Sequence, residues 1–231
     1  MCGRYYLNLD NLLMENFDSN NTISYETNFN ITPQTKVPVL IESKLTMATW
    51  GFFPDWIKSQ KNSKPLFNTR WETIQEKRTF QTAFKKHRCL VPISGWYEWK
   101  NVNDEKQPYF FHKENKLLQA AGLYWLRSSG DIEFSIITNE AEDDLLTIHN
   151  RTPLILNKES QNLWISDIEI DTLYQDISVQ KKLDINFMEL TKDFIDNLTD
   201  MSYIGDSSLH RYKISALKYF YMRIRTKYSK Y

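Results

Sequence analysis

The chain is 231 residues long, 41% hydrophobic and 25% charged, with 29 basic and 29 acidic residues. That length suits one large domain or two small ones with a sizeable core, and the composition excludes wholesale disorder. No apolar run approaches the ~18 residues of a membrane span, and the opening Met1-Cys2-Gly3-Arg4-Tyr5-Tyr6 has no signal-peptide core. Two cysteines, Cys2 and Cys89, cannot form a disulfide framework, so a soluble protein of a reducing, cytoplasmic compartment is expected.

In chain order, Trp50-Gly51-Phe52-Phe53-Pro54-Asp55-Trp56 reads as an aromatic turn. Residues 69–87 read as a helix: Thr69 with Glu72 makes a capping box, and Ile74, Ala83 and Phe84 share an apolar face. Residues 88–93 form a strand, Ser94-Gly95 a turn and residues 96–100 a second strand. Residues 109–113 and 117–125 are expected to pair as a hairpin around Glu114-Asn115-Lys116. A turn at Ser128-Ser129-Gly130-Asp131 leads into a strand over 132–138, and a short acidic helix over 140–147 precedes His149. Residues 154–156 form a short strand, and helices follow from Lys158. Near the end, Ile214, Leu217, Tyr221 and Ile224 have the spacing of an amphipathic helix. Strands and helices do not alternate regularly, so the class is α+β with antiparallel sheets rather than a doubly wound sheet. One domain over 1–231 is expected, with residues 166–231 as its divergent C-terminal part ending in a basic helical tail.

Charge is unevenly spread. Residues 207–231 hold seven basic residues and no acidic ones, which leaves 22 basic against 29 acidic in the rest of the chain. A second basic island spans 68–100, with seven Lys or Arg against Glu72, Glu76 and Glu98. Such islands can hold a polyanion even when the total charge is zero, although a basic tail is equally a solvated helix face.

The chemistry begins at Cys2. Its small side chain permits removal of the initiator Met, which would leave a 1,2-aminothiol at the chain end. An α-amine with a pKa near ~7.7–8.0 is partly neutral at physiological pH and attacks aldehydes. The imine then lies within reach of the thiol, and ring closure to a thiazolidine is effectively intramolecular.

Several further segments join the N-terminal Met1-Cys2-Gly3-Arg4-Tyr5: Asn30-Ile31-Thr32-Pro33, Phe67-Asn68-Thr69-Arg70-Trp71-Glu72-Thr73, Cys89-Leu90-Val91-Pro92-Ile93-Ser94-Gly95-Trp96-Tyr97-Glu98-Trp99 and Ile148-His149-Asn150-Arg151-Thr152-Pro153. In this order they resemble the SRAP (SOS-response-associated peptidase) domain family over about residues 1–165. Thr69, Trp71 and Thr152 depart from its usual residues, and its usual C-terminal segment finds no match. The resemblance implies a compact β-rich α+β fold with a barrel-like core, flanking helices and a positively charged cleft. It implies an enzyme that shields abasic sites in single-stranded DNA, as a monomer, through a covalent thiazolidine between Cys2 and the ring-opened deoxyribose. Cys2, Asn68, Glu98 and His149 are the implied catalytic residues.

Each has a physical role to fill. Burial of Glu98 between Trp96 and Trp99 would raise its pKa and suit it to proton transfer with the amine. His149 titrates near neutrality and could protonate the sugar ring oxygen. Asn68 could orient sugar hydroxyls or merely cap the helix. For DNA, Arg4, Arg70 in the first turn of the expected helix and Arg78 on the same side of it are phosphate contacts. Pro33, Trp50 and Trp99 are stacking surfaces, and Thr138 is a further sugar or phosphate contact. No cofactor is expected, and Cys2, Glu98 and His149 lack the tight spacing of a metal site. Two other functions compete: an N-terminal-nucleophile peptidase that shares these residues, in which the Cys2 thiolate attacks an amide, and a non-catalytic single-strand-binding module that uses the basic islands.

Overall fold

The computed structural model describes residues 2–9, 23–54, 56, 63–113, 116–180 and 184–190. All belong to the first of two compact units, which spans Met1–Lys192. The expected amphipathic helix around residues 214–224 lies outside the described residues.

The described residues form two sheets. One runs in the order β12 (Asn186–Glu189), β8 (Glu105–His112), β7 (Gly95–Val102), β1 (Tyr5–Leu7), β2 (Asn28–Ile31). In the other, β10 (Ile132–Glu140), β4 (Lys44–Trp50), β3 (Lys36–Ile41), β6 (Arg88–Ile93) and β9 (Leu118–Leu126) follow one another, and β9 pairs back onto β10 to close a barrel. The short strands β5 (Asn68–Arg70) and β11 (Arg151–Pro153) each add to β10. Among the described residues four helices flank the sheets: α1 (Arg78–Lys86), α2 (Asp143–Leu146), α3 (Lys158–Ile165) and α4 (Ile170–Ser178). The β-rich α+β class with a barrel-like core is therefore what the chain adopts. Most pairings are antiparallel, while β4 and β5 lie parallel to β10.

Period-2 alternation drives the first sheet. In β1, Tyr5 and Leu7 are buried and Tyr6 is half-buried. Tyr5 lies opposite Trp96, Trp96 opposite Phe111, and the last two rings stack at 5.2 Å. Gly95 is required where β7 begins, because a Cβ there would lie 2.3 Å from the Phe110 ring. The Tyr97 amide donates to the Arg4 carbonyl at 3.0 Å. This bond continues the β1–β7 ladder backwards and places residues 2–4 beside Glu98.

Three sequence expectations are corrected. The helix expected over 69–87 begins at Arg78, and residues 68–70 are strand, followed by a 3-10 turn at Trp71–Thr73. No capping box forms: the Thr69 hydroxyl meets Ser135 on the neighbouring strand β10 at 2.7 Å, and Glu72 turns to Arg151 instead. Tertiary partners outbid the local motif. The hairpin expected from 109–113 and 117–125 does not form, because β8 pairs with β7 and β12 while β9 pairs with β6 and β10. Alternation marks a strand but not the sheet that buries it. The strand expected at 154–156 sits earlier, at Arg151–Pro153, with Ile155 making one isolated bridge to Ala120. The β3–β4 hairpin had no local signal, since its turn is Glu42-Ser43, both at positive φ without a Gly or Asn.

Candidate active site

Cys2 is buried in the core cluster that holds Tyr5, Trp50, Phe134 and Ile148. Its carbonyl accepts a hydrogen bond from Asn68 Nδ2 at 2.8 Å, so β5 ties down the N-terminal segment. Asn68 Oδ1 is buried and finds no hydrogen-bond partner among the described residues. Burial holds the Cys2 thiol far above its ordinary range, and the nearby Glu98 carboxylate adds to the effect.

Glu98 is 3% exposed on β7, on the Trp96 face of the strand. Burial pushes its carboxyl up to about 7, because no full solvent shell is left to stabilise the anion. His149 follows the core residue Ile148 just after α2, and its amide donates to the Leu145 carbonyl at 3.1 Å. Its Nε2 lies 3.8 Å from Glu98 Oε2, and burial lowers the pKa of the ring. The fold thus brings together, from four separate segments, Cys2, Asn68, Glu98 and His149. Chemically this is a buried thiol beside two groups that can give or take a proton near neutral pH.

The residues expected to contact DNA divide. The Arg4 guanidinium lies over the half-buried Trp99 ring, 5.3 Å from its centroid, on the outer face of the first sheet. Arg70 is exposed at the end of β5, two residues past Asn68. Pro33 is half-buried in the turn after β2, whose Ile31 pairs with Tyr5. Arg70 shares β5 with Asn68, Arg4 directly precedes β1, and Pro33 follows the strand that pairs with β1.

Trp50 is corrected from a stacking surface to core: it is 0% exposed, meets Tyr5 and Phe67 edge-on, and donates from Nε1 to the Phe67 carbonyl. Thr138 is likewise buried, and its Oγ1 accepts from Arg151 at 3.1 Å, so it holds a protein cation rather than a phosphate. Arg78 is exposed but opens a separate helix, so it does not share a helical face with Arg70.

Sequence reasoning assigned no role to Arg151 and gave Glu72 only a capping one. Arg151 is 9% exposed and grips both Glu72 oxygens, at 2.8 and 3.0 Å. Burial opposes ionisation of Glu72, but the hydrogen bonds and charge of Arg151 outweigh it and hold the carboxyl below its ordinary value. The available signal was an arginine two residues after His149. A cleft of about 470 Å³ lies on the far side of Glu72, lined by Glu140, Glu142, Asp143 and Asp144. It includes none of the four site residues, and its acidic wall is unsuited to a polyanion. Among the described residues no helix is long and apolar enough to cross a membrane, and no cluster of three or more His, Cys, Asp or Glu could hold a metal.

Residues 1–193 match the family model described as SOS response associated peptidase (SRAP). The abasic site processing protein YoqW of Bacillus subtilis is 29% identical over 195 residues, covering 75% of this chain and 84% of its own. The abasic site processing protein YedK of Escherichia coli is 31% identical over 180 residues, covering 71% and 79%. A solved structure of a phage-related protein from Bordetella bronchiseptica superposes with a TM-score of 0.69 at 24% identity, over 83% of this chain and 95% of that one.

Proposed function

This chain belongs to the SRAP family, and on that premise we propose that it processes abasic sites in single-stranded DNA, acting as a monomer, by forming a covalent thiazolidine through Cys2. The observation that carries the reading is the convergence of Cys2, Asn68, Glu98 and His149, with Glu98 poised near neutrality. Relatives named as abasic site processing proteins support the substrate class.

After removal of Met1, the Cys2 amine attacks the C1′ aldehyde of the ring-opened deoxyribose. A carbinolamine forms and loses one water to give an imine. The thiol then adds across the C=N bond, its sulfur bonding to carbon while its proton ends on nitrogen. The net change is the loss of one water. Glu98, about half-ionised near pH 7, can accept the proton released by the amine and return it to the departing hydroxyl. His149 can donate to the sugar ring oxygen during ring opening. Asn68 Oδ1 is an acceptor awaiting a sugar hydroxyl. Arg4 and Arg70 supply phosphate contacts, and Trp99 and Pro33 flank them as apolar surfaces.

The alternative, an N-terminal-nucleophile peptidase, would turn the same thiol on an amide, and only the aldehyde reaction leaves a protein–DNA adduct. Mass spectrometry of the purified chain, before and after incubation with abasic single-stranded DNA, tests the proposal. A Met1-free chain should gain the oligonucleotide mass less one water. A Met1-free chain that stays unmodified would refute it.

A further inference from the structure

We infer that Arg151, clamped by Glu72, is a positioning residue that keeps the proton of neutral His149 on Nε2, facing Glu98. The Arg151 amide lies 3.0 Å from His149 Nδ1. An amide N–H only donates, so in this contact Nδ1 accepts and the neutral ring carries its proton on Nε2; the opposite tautomer would turn Nδ1–H to the Arg151 carbonyl and leave the amide without its acceptor. That nitrogen is the one that faces Glu98 Oε2, 3.8 Å away. The Arg151 carbonyl lies 3.1 Å from the same Nδ1. When the ring takes up a second proton, this carbonyl becomes the acceptor for it. One residue's main chain therefore serves both charge states, and the ring need not turn over as it gives and takes a proton.

This arrangement depends on Arg151 staying put, and its side chain is what fixes it. One guanidinium nitrogen donates to Glu72 Oε1 at 2.8 Å; another donates to Glu72 Oε2 at 3.0 Å, to the Thr138 carbonyl at 2.6 Å and to Thr138 Oγ1 at 3.1 Å. Glu72 also accepts from the Glu140 amide at 3.0 Å, and Glu140 is the ladder partner of Arg151. One carboxylate thus clamps β10 and β11 together at the point where the 149–151 segment leaves the ladder. The fork of Arg151 is matched to Glu72, two nitrogens against two oxygens. Charged or titratable groups face His149 from both sides: Glu98 from β7, with Cys2 beside it, and Arg151 from its own segment, with Glu72 behind it.

The catalytic consequence rests on the proposed role of His149, whereas the tautomer does not. Imidazole nitrogen chemical shifts of the full chain labelled at histidine, with His149 assigned through His149→Gln, read the tautomer directly. The wild-type ring should be protonated on Nε2 alone. Glu72→Gln, a substitution at a side chain 37% exposed, should give a mixture of tautomers. It should also slow adduct formation about tenfold with non-covalent DNA retention unchanged. Arg151→Lys keeps the charge but lacks the two-pronged grip, and should give the same mixture; it decides the matter if Glu72→Gln does not fold. A wild-type proton on Nδ1, or a single Nε2–H tautomer kept in a folded variant, overturns the inference. If the wild type forms no adduct at all, the proposed function fails, while the chemical shifts still judge the positioning role.

Discussion

The segment 149–151 runs between two carboxylates with opposite surroundings. Glu98 reaches it from β7, buried and 3.8 Å from His149, with its carboxyl pushed up to about 7. Glu72 reaches it from the 3-10 turn, over a third exposed, with both oxygens on Arg151 and its carboxyl held low. The same side chain thus titrates near neutral pH in one place and is a fixed anion in the other. Burial outweighs the charges near Glu98 and leaves it able to change charge near neutral pH; a two-pronged guanidinium removes that freedom from Glu72.

The largest effect should come from the residue that the Glu98 side serves. Cys2→Ala should abolish the heat-stable DNA adduct while leaving retention of abasic single-stranded DNA in a gel shift unchanged. Parallel loss of both would mean that Cys2 supports the fold rather than the chemistry.

Next, Glu98→Gln should slow adduct formation about a hundredfold, the usual scale for a lost acid–base group. It should also stabilise the protein, and the sign follows from linkage. The folded-state pKa of Glu98 lies above the unfolded value of 4.5, so the folded protein binds more protons between the two values. Stability is therefore lost as pH rises from about 4.5 through about 7. Removing the charge should recover about 3 kcal/mol at pH 8 and nothing near pH 4. Thermal melts of both proteins across that range check it, and curves that stay parallel would place Glu98 in an ordinary, well-solvated environment.

Glu72→Gln should do the reverse. A depressed carboxyl stabilises the fold above its unfolded pKa, and that contribution fades as pH falls through the folded value. Because the group is over a third exposed, solvent screens the pair, and a cost of about 1 kcal/mol at pH 7 is expected, with none in acid. The melts that show Glu98→Gln gaining stability toward alkaline pH should show Glu72→Gln losing it. Changes of the same sign in both would erase the distinction between the two carboxylates.

The smallest effect belongs to the outer face. Arg4→Ala should weaken DNA binding a few-fold and lower the salt slope by about one, the mark of one lost phosphate contact. At saturating DNA the adduct rate should hold. A salt-independent loss would instead point to the packing of Arg4 on Trp99.

Much of the site was legible in the chain. Cys2, Asn68, Glu98 and His149 stand in segments whose residues mark them, and Glu98 between two tryptophans announced its burial. Trp50 was not legible: tryptophan serves equally as a stacking plate or a core residue, and only its place between Tyr5 and Phe67 decides. The Glu72–Arg151 clamp joins residues 79 positions apart, and locally Glu72 looked like half of a capping box. Nothing in a stretch of sequence shows that Thr69 would prefer Ser135 on another strand to a helix amide.

By itself the sequence determined the α+β class, the positions of most strands and which titratable groups were candidates for the site, because alternation and side-chain chemistry are local properties. The tertiary structure decided which sheet each strand joined, which tryptophans were buried and which of two glutamates could change its charge. Those outcomes depend on distances across the fold: how much water a group loses and whether a cation meets it there.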